Sequence, residues 1–341
     1  MTTSGTASVR SATLLDDTTP PAPEPVLPDP PPLGRREVLH QRWDELAYFH
    51  WPYDPADVQR LLPDRVRVDT FDGRAWVGLI PFEMRRVQLG PTPPIPHVSQ
   101  FIEINVRTYV VDPNGRRAVW FFSLDVPRSL IVGVARSLFS LPYCFAAAHH
   151  SVDGSDHRYE MRRRWPHRQR PEATIEFRVG GRIADAEVTP LEHFLTARWA
   201  LLTTRRNRLL YGAVHHPRWP LHRVESYAVG HDPLVAAGLP APSGEPHVLY
   251  SPGVPVDIAW FDTVAADGMT VTGVLATHYH PDHVGGSMMG MHLEGVSALL
   301  DRGSVPVHVQ GVEAEHVHAG PGVGDDPRVH HRSGDTVTVG A

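Results

Sequence analysis

The sequence predicts an α+β protein in which a large, strand-rich module with few helices precedes a short α/β segment. Three observations carry that expectation. Residues 101–126, "FIEINVRTYVVDPNGRRAVWFFSLDV", alternate apolar and polar side chains on either side of a tight-turn signal, the period of paired strands. From about 35 to 256 similar stretches recur with few helical ones between them. After "SPGV" at 251–254 the order becomes strand, loop, helix, strand, which is an α/β rhythm.

Composition narrows the function classes. A chain of 341 residues accommodates two ordinary domains. Its 41% hydrophobic content suits a packed core, and a formal charge of −6 gives no reason to expect nucleic acid or an anionic membrane as a partner. Cys144 is the single cysteine, so no internal disulfide forms and a reducing, cytoplasmic setting is expected. The sequence holds 22 histidines and no lysine. Without a side-chain amine, Schiff-base chemistry is excluded.

Residues 1–34 lack an apolar run and end in "PAPEPVLPDPPPLG", the composition of a disordered or partly polyproline tail. "RAWVGLIPF" (74–82) reads as a strand. In the hairpin that follows, Ile102, Ile104, Val106 and Val110 share one face and Glu103, Asn105, Arg107 and Tyr109 the other. The returning strand sets Trp120, Phe122, Leu124 and Val126 against Phe121, Ser123 and Asp125. The apolar stretch 129–148 contains Arg136 and Pro142 and reads as a buried amphipathic helix ending at the proline, not as a membrane span. Strands follow at 157–164 and 173–181, and the six arginines around Trp165 fit an exposed, charge-guarded edge. "TPLEHFLTARWALLTTR" (189–205) reads as a helix capped by Thr189, with Pro190 first and Glu192 three beyond the cap.

The polar hairpin face admits two orientations. Turned inward, Glu103, Asn105, Arg107 and Asp125 converge on an internal cavity, joined by Arg136. There an arginine clamps a ligand carboxylate through paired hydrogen bonds, and Glu103 serves as acid or base. Turned outward, the same residues form a solvated face with cross-strand ion pairs.

"WVGLIPFEM", "FIEINVRTYVVDPNG", "WFFSLDV", "ARSLFSLPY" and "HVLYSPGV" together resemble, in that order, the domain of unknown function 2071 family. That family is similar to the acetoacetate decarboxylase fold, a β-barrel-like antiparallel sheet around an internal cavity. The resemblance covers roughly residues 36–256. Decarboxylases of that fold act through a cavity lysine, which this chain lacks, so the expected activity is binding of a small organic acid. The resulting division is a tail at 1–34, a barrel-like domain at 35–256 and a shorter segment at 257–341.

In that segment, "THYHPDHVGG" (277–286) follows a buried strand near 270–277. His278 and His280 alternate to one side of an extended loop and can face one metal ion, while Asp282 and His283 can turn to a second. Zinc takes imidazole and carboxylate ligands at roughly 2.0–2.2 Å, and a paired site generates a hydroxide nucleophile. A helix over 286–302, with Met289, Leu293, Val296 and Leu300 on one face, and a strand at "VPVHV" continue the rhythm. The loop resembles the signature of the metallo-β-lactamase superfamily. That resemblance implies up to two zinc ions, the first on His278 and His280, the second on Asp282 and His283, with Asp282 also placed at the catalytic centre. The segment corresponds to the first half of an αββα fold, and its final strand is expected at "SGDTVTVGA" (333–341). Two readings follow. One is an organic-acid binding module joined to an incomplete metal segment. The other is a zinc hydrolase of an ester, thioester, lactam or phosphoester, its site completed by another chain or by His330 and His331.

Overall fold

Most of the predicted alternation is strand in the computed structural model, which describes residues 21–33, 37–90, 99–128, 140–166, 170–206, 208–259 and 261–264, together with five short C-terminal strands. The chain divides into two compact units, Met1–Gly268 and Met269–Ala341.

In the first unit fourteen strands form one sheet. They are β1 (Glu37–Tyr53), β2 (Arg67–Val68), β3 (Thr70–Phe71), β4 (Arg74–Leu89), β5 (Phe101–Val111), β6 (Arg117–Val126), β7 (Tyr143–Asp153), β8 (Asp156–Trp165), β9 (Glu172–Arg182), β10 (Ala200–Arg205), β11 (Arg208–His215), β12 (His222–Val229), β13 (His247–Ala259) and β14 (Asp262–Thr263). Three short helices are described, α1 (Pro55–Gln59), α2 (Pro190–Thr196) and α3 (Asp232–Ala236). The strand order is β14-β11-β10-β6-β7-β8-β9-β12-β13-β1-β4-β5-β2, with β3 on β4. Further pairings of β5 with β6 and of β11 with β13 curl the sheet back on itself. Because β2, β3 and β14 remain at its margins, the expected barrel-like sheet is strongly curved but is not a closed barrel. Nor is it antiparallel throughout, since β6 runs parallel to both β7 and β10.

Five strands, β13-β1-β4-β5-β6, form a wall with a core on each side. On one side Phe49, Leu79 and Ile104 pack with Tyr159, Ile175 and Phe177 from β8 and β9. On the other, Tyr48, Ile80, Phe82 and Tyr109 pack with Phe194 and Leu195 of α2 and with Trp219. Each such side chain contributes roughly 1.5–3 kcal/mol by leaving water. Burial on both faces is why the charged face of the β5–β6 hairpin is not solvated.

Several local expectations change. The helix expected over 189–205 ends at Thr196, because Leu201 and Leu202 enter β10, hydrogen-bonded to β6 on one side and β11 on the other. The amino-terminal segment is not a free tail over its described part. Asp29 ion-pairs with Arg218, the Trp199 indole donates to the Leu27 carbonyl at 2.9 Å, and Glu24 hydrogen-bonds Gly115 and Arg117 across the hairpin turn. Strand β13 continues past residue 256 to Ala259 and is followed by β14, so the first body extends beyond its expected end.

The second unit contains β15 (Val274–Ala276), β18 (Val307–Gln310) and β19 (Arg328–His331), all parallel, and a separate antiparallel pair, β16 (Gly286–Met288) and β17 (Met291–Leu293). The first turns of the helix expected at 286–302 are therefore a strand pair, favoured by the glycine-rich start that helices disfavour. The last described strand lies at 328–331, ahead of the expected 333–341. Residues 129–139 and 277–285 lie outside the described residues, and with them Arg136, His278, His280, Asp282 and His283.

Candidate functional site

Strand periodicity sets Glu103, Asn105, Arg107 and Tyr109 on the α2 side of the wall, where all four are buried. In the neighbouring strands His50 of β1 and Gly78 of β4 stand in register with Arg107. Gly78 is the gap that admits the His50 ring, since a Cβ there would lie 2.7 Å from His50 Nε2. Asp125 does not join this group. A β-bulge between the pairs Val106–Ser123 and Arg107–Phe121 shifts β6 by one residue, so Asp125 opposes Ile104 and faces the other core. There it accepts two hydrogen bonds from Arg163, both at 2.7 Å, and burial pushes its carboxyl upward despite that pair.

The chemistry centres on Arg107. Its guanidinium lies 5.6 Å from the Tyr48 ring and 5.9 Å from the Tyr109 ring, and its Nε is buried without a partner. Among the described residues no carboxylate is within ion-pair distance of it. Arg198 approaches the same Tyr109 ring at 4.8 Å. It donates to Asp69 through Nη2 at 2.9 Å, while its Nε and Nη1 have no partner. Tyr48 Oη is likewise buried and unpartnered. The Tyr109 hydroxyl donates to the Leu195 carbonyl at 2.6 Å, so its 2.7 Å contact with His50 Nε2 requires that nitrogen to be the donor. His50 is then a neutral imidazole with a buried lone pair on Nδ1, consistent with burial and the Arg107 charge holding it well below the usual imidazole range.

Glu103 closes the other end. Its carboxyl accepts from Tyr143 at 3.1 Å and from the Asn105 amide at 3.3 Å. Burial pushes it up to about 7, against the pull of those two donors. Asn105 Oδ1, between Glu103 and Arg107 along the strand, has no partner. The row thus runs from a carboxyl near its midpoint at neutral pH, past a free amide oxygen, to a cationic donor group. Tyr48, His50, Tyr143 and Arg198 are absent from the sequence reading. The only hint of the first two is a histidine among aromatics in "AYFHWPY" (47–53). Elsewhere Glu37, His40 and Asp257 could hold a cation, with His40 Nδ1 2.8 Å from Asp257 and 3.8 Å from Glu37. They are partly exposed and account for one another as an ion-pair cluster.

The family model DUF2071, "Uncharacterized conserved protein (COG2071)", matches residues 40–255. The chain belongs to the DUF2071 family. Uncharacterized protein YqjF of Bacillus subtilis is 32% identical over 216 residues, covering 63% of this chain and 87% of that one. Among solved structures, acetoacetate decarboxylase from Legionella pneumophila is similar at 12% identity and TM-score 0.49, over 76% of this DUF2071 chain and 98% of that chain. The enduracididine biosynthesis enzyme MppR in complex with pyruvate is similar at 15% identity and TM-score 0.48, over 69% and 90%. No residue role is carried over from either. The DUF2071 match ends at residue 255, and these comparisons give no support to a metallo-β-lactamase segment beyond it. Among the described residues no helix is long and apolar enough to cross a membrane.

Proposed function

We propose that the DUF2071 unit binds a small organic acid, with the ligand carboxylate on Arg107 and Glu103 as acid or base at the far end. The observation that carries this reading is a buried guanidinium with a free Nε and no carboxylate beside it, next to two further unpartnered donor groups, Tyr48 and Arg198. A buried unpaired charge is costly, and an anion accepting from those donors removes the cost. Glu103, held partly protonated at neutral pH, can give or take a proton on the ligand without any amine nucleophile. Binding of short-chain monocarboxylates by calorimetry and thermal shift tests it. A carboxylate at a hundredfold excess over its Kd stabilises the protein by about 2.7 kcal/mol, and Arg107→Met removes the effect. Equal stabilisation of wild type and Arg107→Met would overturn the reading.

The second unit supports a separate reading, a zinc site on His278, His280, Asp282 and His283. Strand β15 ends two residues before His278 and pairs in parallel with β18, the strand-then-loop order that such a site uses. The hydrolase chemistry then depends on completion by His330 and His331 or by another chain. Zinc retained by the purified chain and lost from His280→Ala supports it; zinc-free wild type overturns it.

A further inference from the structure

The face of the wall opposite Arg107 carries a second convergence of ionisable side chains, drawn from five strands. Glu83 of β4, His150 of β7, His157 of β8, Glu45 of β1 and Tyr250 of β13 meet there. His150 Nδ1 is 2.8 Å from Glu83, His150 Nε2 is 3.3 Å from His157 Nδ1, and His157 Nδ1 is 3.8 Å from Glu45. The Tyr250 hydroxyl donates to Glu45 at 2.6 Å. Aromatic faces fix both imidazoles: His150 stacks on Tyr159 at 3.8 Å and 5°, His157 on Phe177 at 4.9 Å and 11°. Glu45 adopts φ 53°, where the β1–β4 register breaks after Asp44.

The hydrogen bonds dictate a direction. Glu83 accepts, so His150 carries its proton on Nδ1 and offers a lone pair at Nε2. His157 must then donate from Nδ1, which leaves the lone pair on its Nε2. No described side chain hydrogen-bonds that nitrogen. Burial also lowers the affinity of His157 for a second proton, so the resting imidazole is neutral with its Nε2 lone pair free. His157 and Phe177 border a groove of about 520 Å³ with Val152, Ser226 and Tyr227. At its rim Asp156 pairs with Arg178 and Arg158 with Glu176, and the remaining lining charge, Asp153, is negative, so the groove does not call for an anionic ligand.

We propose that Glu83, His150 and His157 form a proton relay that makes His157 a general base toward an uncharged, partly apolar hydroxyl compound of the phenol class bound in this groove. In the step, the ligand O–H bond breaks and an N–H bond forms on His157 Nε2. The ligand becomes an oxyanion, and the positive charge on the imidazole pair is offset by the Glu83 carboxylate. Reprotonation retraces the same bonds. This site is independent of the carboxylate site, which faces the other core.

The probe is p-nitrophenol, whose phenolate absorbs in the visible. Added to the full chain at neutral pH, it is expected to develop a saturable phenolate band above that of the free compound at the same pH. His157→Gln abolishes the band, Glu83→Gln weakens it roughly ten-fold through loss of a charge-assisted hydrogen bond, and Arg107→Met leaves it intact. No band with wild type, an undiminished band with His157→Gln, or its loss with Arg107→Met would each overturn the proposal. Should His157→Gln not fold, nitrogen NMR of wild type decides: a resting His157 protonated on Nε2 refutes the relay.

Discussion

Glu103, buried, and Glu83, partly buried, are carboxyls with opposite consequences for stability. Burial raises Glu103 from 4.5 to about 7, so the folded state holds its proton more tightly than the unfolded chain. Its contribution is fully present below about 4.5 and is lost as pH rises through 7, on the order of 3 kcal/mol in all. Thermal unfolding followed from pH 4.5 to 7.5 is expected to show this decline in wild type and a flatter profile in Glu103→Gln. Glu83 is drawn down to about 2, first by the His150 hydrogen bond, then by Arg85, so its contribution holds above 4.5 and fades only in strong acid. Arg107→Met is expected to leave the ligand-free melting temperature unchanged or raised, because it removes an uncompensated buried charge. Gly78→Ala, by contrast, forces a methyl group against the His50 ring and should cost about 1–3 kcal/mol in a denaturant titration. The row Glu103, Asn105, Arg107 was legible because alternation fixes a shared face. Which way that face turns was not, since it depends on α2 and Trp219, distant in sequence.

At the scale of elements, local chemistry marked beginnings better than ends. The Thr189–Glu192 capping box at the start of α2 is present as read, Thr189 accepting from the Glu192 backbone and Glu192 accepting in return. Thr189→Ala should cost about 1 kcal/mol, measurable by chemical denaturation. The end of α2 was illegible, because Leu201 and Leu202 are as compatible with helix as with strand and pairing to β6 and β11 decides. Asp125 was misassigned for a related reason. A single extra residue in β6 inverts the face of everything after it, and nothing in "WFFSLDV" announces a bulge.

Across the whole molecule, the family-matched span 40–255 is not the whole of the first body. Residues 21–29 strap its surface, and Asp257–Ala259 with β14 complete pairings to β1 and β11. A chain comprising residues 21–268 is therefore expected to melt above one comprising 36–256, by roughly 2–4 °C for each kcal/mol of lost contacts. Equal melting temperatures would show the strap and the β13 extension to be dispensable. Composition and alternation made a mainly β body legible, but the parallel placement of β6 beside β7 and β10 joins segments far apart in the chain, and no local pattern encodes it.

The wall itself is one backbone layer thick. Glu103 on one face and Asp125 on the other repel each other through it. By thermodynamic reciprocity that repulsion acts equally on both carboxyls, so taking up a proton on either one makes the other easier to ionise by the same free energy. The two faces of the wall are thus in electrostatic contact without any moving part.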